Sequence, residues 1–370
     1  MTESPVPAAT LDVRPLGFTP ADGVLVRDTP FLPDVLRGVH RAVVRSAVLA
    51  PLLVLCAASL FVTTEGSLAV PVLVAFGAGM YLLWTLARVS SGRLASDRVL
   101  GTRLRSVSLV PEDVVLTRWR VALRVGGPTD RHWVCGWFPR AYREMLLRHR
   151  RVLVVQPASA RRVVVIVPGS LAVFTARSRR AAPKGAHPQT AAPSHTVSAI
   201  PRHDVVLSAW LAMNTWILTV AAVVLSSTAI FLAAQSVPVL LDGGPGDDVV
   251  LTYGSVVLAV LLLVGAVTVV VSLCRLRHRV VSASGWRCLR ARLHETEPSP
   301  AGAGRYRFTA TVQDADGRVE QVSARAAFAD IVASIADTGR MWVLDTGTDS
   351  GNWTAGIPGH PVLDTVVRQR

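Results

Sequence analysis

Few residues in this chain have the type and spacing to do chemistry. Val343-Leu344-Asp345-Thr346-Gly347-Thr348 sets one aspartate behind an apolar run and ahead of a glycine, with a hydroxyl on either side of that glycine. Hydrolysis by such a group needs a second carboxylate that shares its proton across one water. The corresponding position in the first half of the chain is Gln156, which offers none. Asp314, Asp316 and Glu320 gather around Gly317, but the third acidic ligand and closing glutamate of a calcium loop are missing, so a hairpin turn accounts for them. The acidic stretch from Asp242 to Asp248 reads as a solvated turn. Cys56, Cys135, Cys274 and Cys288 form no CxxC pair, and no histidine stands at metal spacing. No Ser/His/Asp set, phosphate-cradling glycine loop or HExxH is present. The sequence nominates no catalytic residue, no cofactor and no metal ligand, and leans away from an enzyme.

Arginine makes the strongest collective pattern. Of a net charge of +14, residues 88–204 hold 21 positive against 6 negative groups, and residues 275–370 hold 13 against 10. Such charge beside a bilayer attracts anionic headgroups, at about 1 kcal/mol per nearby arginine. The candidate membrane-surface set is Arg88, Arg93, Arg98, Arg118, Arg120, Arg124, Arg275, Arg277 and Arg279. Nucleic acid is disfavoured as a partner, because no recognisable binding motif and no interleaved exposed aromatics accompany the arginines.

These side chains must be positioned by elements that a hydrophobic fraction of 51% and a mean hydropathy of +0.41 place partly in lipid. Four uncharged apolar runs stand out, at 46–63, 68–87, 205–234 and 249–274. At about 1.5 Å per residue each can cross a hydrocarbon core of about 30 Å. Arginines flank the outer ends of both pairs, whereas the short connecting loops carry Glu65 in one and Asp242, Asp247 and Asp248 in the other. The positive-inside rule therefore puts both loops outside and both termini in the cytoplasm. No Asp, Glu, Lys, Arg or His interrupts the runs, which counts against an ion-coupled carrier, and Asn214 is their most polar side chain.

The rest of the chain reads as one plan written twice. Phe138 leads into a helix over 140–150 and Phe328 into one over 329–337, and Pro168-Gly169 matches Pro358-Gly359 in the segments that follow. Residues 114–125 alternate as a single strand, with Arg118, Arg120 and Arg124 on one face. Tyr306, Phe308, Ala310 and Val312 share the inner face of a second strand, which Asp316-Gly317 turns into a hairpin. Phe328, Ile331, Val332 and Ile335 form a helical stripe that stops at Gly339.

The run Val343 to Thr348 resembles the aspartic protease signature, which implies a paired-aspartate hydrolase. The missing second aspartate, and the 23 residues that follow Gly347, are too little for that fold's closing half. As a whole, the layout resembles uncharacterised multi-pass membrane proteins common in high-GC bacteria, a resemblance that implies no activity.

The expected fold is thus membrane α-helical, four transmembrane helices in two hairpins with two small cytoplasmic α+β domains, as an internal duplication. Its boundaries are a disordered tail (1–36), hairpin 1 (37–88), basic domain 1 (89–176), a flexible linker (177–204), hairpin 2 (205–274) and domain 2 (275–370). The expected role is a non-enzymatic scaffold or regulator of the bacterial cytoplasmic membrane, facing anionic lipid headgroups, a cytoplasmic protein or a second copy of itself. A small transport or channel component acting as an oligomer is the alternative.

Overall fold

In the computed structural model of the protein the described residues are 10–12, 17–41, 43–45, 48, 97–117, 120–126, 132–156, 162–184, 187–188, 196–241, 246–300, 304–347 and 351–369. They fall into two compact units. One takes in the described residues of Met1–Ala42, Ser90–Trp210 and Arg279–Arg370, the other those of Val43–Val89 and Leu211–His278.

The first unit begins with β1 (Thr10–Asp12) and a helical stretch over residues 32–41. Next come β2 (Arg105–Ser108), β3 (Val114–Leu116), β4 (Val121–Val125), β5 (His132–Gly136), α1 (Arg140–His149), β6 (Arg151–Val155), β7 (Arg162–Ile166), β8 (Val173–Arg179), the two-residue β9 (His187–Pro188) and β10 (Thr196–Ser198). β10 pairs with β1, and the rest form an eight-stranded antiparallel sheet in the order β2-β6-β7-β8-β5-β4-β3-β9. Val121, Leu123, Val134, Met145, Leu146, Val152 and Val163 bury the α1 side of this sheet. The sheet stays open between β2 and β3 because Val110-Pro111 interrupts the chain there. Proline has no N–H for a ladder, and the Val110 N–H is taken by the Asp113 carboxylate.

After α2 (Val205–Leu241) and α3 (Gly246–Ser282) the chain re-enters the first unit with β11 (Gly285–Pro298), β12 (Arg305–Gln313), β13 (Val319–Phe328), α4 (Ala329–Thr338), β14 (Arg340–Asp345), β15 (Asn352–Gly356) and β16 (Leu363–Gln369). These six strands close into a barrel, β11-β12-β13-β16-β15-β14. Its neighbour order is that of the first sheet, with one continuous strand where β2 and β3 stand apart. Residues Gly285 to Arg290 of β11 pair with β14, and Arg290 to Pro298 pair with β12 across a bulge between Leu293 and Glu295. A bulge bends and twists its strand, which lets β11 serve both edges and shut the barrel. Leu289, Phe308, Val322, Ile331, Val332, Met341 and Val366 fill the interior. α4 ends at Gly339, whose left-handed φ of 64° lets its N–H reach the Ile335 carbonyl.

This architecture corrects the expected four-helix membrane fold with small α+β appendages, and the multi-pass description with it. The chain is strand-rich, built on an eight-stranded sheet and a closed barrel. Among the described residues two helices, over Val205–Ala234 and Ser255–Ser282, are long and apolar enough to cross a membrane. The runs 46–63 and 68–87 lie outside the described residues. Residues 114–125 are not one strand either. The Thr117 N–H donates to the Arg120 carbonyl and the Arg120 N–H to the Thr117 hydroxyl, and β3 and β4 fold back as a hairpin with Leu116 opposite Val121. Three pieces of 177–204 are in strands, namely the end of β8, β9 and β10. Within 1–36, Val26, Leu32 and Leu36 are buried in the cluster that also fills the barrel.

In the second unit the two helices present Trp216, Ile230, Val257, Leu261 and Val264 outward. Buried Ala222 and Ala229 on α2, and Ala259 and Ala266 on α3, recur seven residues apart, a small-residue seam suited to close approach. The hydroxyls of Thr215, Thr228 and Thr268 donate to carbonyls one turn back, which satisfies them without water.

Candidate functional site

The carboxylates nominated by spacing turn out to be tied up in local structure. Asp345 ends β14; its side chain accepts from the Ser284 hydroxyl and the Gly347 N–H. Asp314 holds the β12–β13 turn by accepting the Arg318 N–H, and Glu320 is paired with Arg368. Among the described residues no group of three or more His, Cys, Asp or Glu side chains could hold a metal.

Of the nominated arginines, Arg88, Arg93 and Arg118 lie outside the described residues. Arg98 is exposed on a short helix, Asp97–Leu100. Arg275 and Arg277 are exposed on the last turns of α3, and Arg279 is half-buried with its guanidinium donating to the hydroxyls of Thr354 and Thr365. Arg120 and Arg124 belong to a larger arrangement.

On the face of the first sheet away from α1, β4, β5 and β8 lie side by side. Directly opposed residues in a sheet project to the same face. Arg124 lies opposite Trp133, which lies opposite Arg179. One step along, Val115, Ala122, Cys135, Arg177 and Arg162 form a second row across β3, β4, β5, β8 and β7. Val115, Ala122 and Cys135 make a small buried apolar patch with Trp133 packed on it. Arg120, Arg177 and Arg179 are exposed around it, and Trp137, immediately beyond β5, is 61% exposed. Arg124, Arg177 and Arg179 have no carboxylate within ion-pair distance among the described residues. Burial pushes the Cys135 thiol up, with Arg179 and Arg120 pulling the other way, so it is a packing residue and not a nucleophile. The face therefore offers cations around an indole.

Sequence reading found Arg120 and Arg124 but missed Trp133, Trp137, Arg177 and Arg179. The alternation of β5 and β8 was readable, but their adjacency joins residues more than 40 positions apart and has no local signal.

A second, buried constellation ties the sheet to the barrel. Asp204 caps α2 by accepting the N–H groups of Val206 and Leu207, and accepts the Gly359 N–H at 2.8 Å. Arg148 of α1 lies 3.9 Å from Asp204 and donates to the Gly359 carbonyl. Burial pushes the Asp204 carboxyl up, opposed by Arg148 and by the three N–H groups. Next to it His360 is buried and held neutral, its pKa pushed down to about 3 by burial and by neighbouring His149. Asp204, Arg148 and the Gly359 backbone are enclosed and engage one another, as in a joint, while the buried Nε2 of His360 has no hydrogen-bond partner among the described residues.

Comparison with protein-family models, with curated proteins and with solved structures found no match, so the reading of this face rests on its own chemistry.

Proposed function

We propose that the protein is a non-enzymatic scaffold or regulator held at the bacterial cytoplasmic membrane by its apolar helices, with its termini and β-structure on the cytoplasmic side. The observation that carries this reading is the row Arg124, Trp133, Arg179, with exposed Trp137 beside it. Arginine binds headgroup phosphates in a fork, and indole rings settle at the boundary between headgroups and acyl chains. An anionic lipid surface offers both at once. This orientation rests on Arg202 before α2 and Arg275, Arg277 and Arg279 at the end of α3, against Asp242 after α2 and Asp247 and Asp248 at the start of α3.

The test uses the full chain in nanodiscs containing brominated lipid, comparing wild type with Trp137→Phe to isolate one indole. Quenching of the Trp137 contribution is expected with anionic lipid, and it should weaken as salt rises. At about 1 kcal/mol per arginine, Arg124→Gln with Arg179→Gln should reduce the association about thirtyfold. Equal quenching in neutral and anionic discs would remove the basis for this reading.

A further inference from the structure

We infer that the barrel carries a separate site for a phosphate-type dianion, built from Arg290, Arg292 and Arg340. Arg290 and Arg292 stand two apart on β11, so they share its outer face, and Arg340 of β14 is directly opposite Arg290. All three are exposed, and with Thr311, Gln313 and Thr338 they line an open groove of about 390 Å³. None of the three guanidinium groups has a carboxylate within ion-pair distance among the described residues. Like charges directly opposed across a ladder are destabilising. A groove that gathers three is therefore short of an anion.

The nearby C-terminus of α4 does not supply it. Its carbonyls are already engaged: Ser334 O accepts the Thr338 hydroxyl, Ile335 O the Gly339 N–H, and Gly339 O the Ala291 N–H. Guanidinium forks match the tetrahedral oxygens of a phosphate, and three of them suit a doubly charged phosphomonoester better than a singly charged diester. Besides its arginines, threonines and Gln313 the groove is lined by Ala291, Val319 and Gly339, and it lacks the tryptophans of the sheet face, so its ligand need not be embedded in lipid.

The experiment titrates the full chain with inorganic phosphate and, in parallel, with vesicles containing either phosphatidic acid or phosphatidylglycerol. Saturable binding of phosphate is expected, weakened about tenfold by Arg292→Gln and about a hundredfold by Arg290→Gln with Arg292→Gln. Neither variant should melt below wild type in phosphate-free buffer, since exposed unpaired arginines contribute little to the fold and removing Arg290 relieves its opposition to Arg340. Preference for phosphatidic acid over phosphatidylglycerol would add a lipid headgroup as a source of the same phosphomonoester, whereas binding of inorganic phosphate alone would assign the site to a soluble anion. Arg124→Gln with Arg179→Gln should leave phosphate binding intact, which separates this site from the sheet face. Phosphate affinity unchanged by Arg290→Gln with Arg292→Gln, or no saturable phosphate binding, would overturn the assignment.

Discussion

Asp330 shows how one side chain can cost stability at neutral pH and still belong where it is. Its carboxylate lies at the start of α4 and accepts the Leu171 N–H, with the Ser170 hydroxyl also donating to it. Burial nevertheless pushes its pKa up, the hydrogen bonds offsetting this only in part. A carboxyl whose folded pKa exceeds its unfolded value of about 3.9 holds its proton more tightly when folded. Its contribution is thus most favourable below that value and declines as pH rises through the folded pKa. Asparagine keeps an acceptor for Leu171 and has no such titration. The stability of Asp330→Asn relative to wild type is expected to grow from about pH 4 to neutrality. Urea midpoints across that range measure it; a flat or falling difference would mean that burial does not govern this group.

At the level of elements the two Pro-Gly turns are the most informative pieces. Val167 to Ser170 and Ile357 to His360 close with the same carbonyl-to-N–H bond, and Gly169 and Gly359 have φ of 76° and 77°, as the third residue of a type II turn requires. The turns also touch: a Cβ on Gly169 would overlap His360 Nε2, and one on Gly17 would overlap both Gly169 and His360. Gly169→Ala should therefore cost about 2–4 kcal/mol, from overpacking and an unfavourable φ together. Chemical denaturation reads that loss, and a cost below about 1 kcal/mol would show the turns to be only loosely packed. The matching of these turns, the α4 stripe with its Gly339 stop and the Asp316-Gly317 hairpin were all legible in sequence, because each depends on residues within a few positions of one another. Barrel closure was not. The alternation of Leu289, Ala291 and Leu293 fits an open one-sided sheet as well as a barrel, and only the bulge before Glu295 decides between them. The long apolar runs stand out in sequence because about 20 consecutive apolar residues add up to one signal, whereas strands such as β6 and β7 present five residues each.

Across the sheet and the barrel together, what joins them is a shared apolar cluster and one buried ionic joint. Leu153, Val155, Val164 and Ile166 of the sheet lie in one cluster with Leu289, Phe308 and Val366 of the barrel. Asp204 then engages α1 through Arg148, the barrel turn through Gly359 and the start of α2 through Val206 and Leu207. The Asp204 side chain is fully buried, while that of Arg148 keeps 12% exposure. The two partners are therefore unequal. Removing Arg148 leaves the carboxylate with three N–H donors, whereas removing Asp204 strands those donors and a largely buried cation. Arg148→Met is expected to cost about 1–3 kcal/mol and Asp204→Ala about 3–5 kcal/mol. The double variant should cost about as much as Asp204→Ala alone, since most of what Arg148 contributes passes through the carboxylate and the turn it holds. Denaturation of the four species closes the cycle. Strict additivity would mean that the joint is two independent contacts, and a larger loss from Arg148→Met than from Asp204→Ala would mean that the cation, not the carboxylate, organises it.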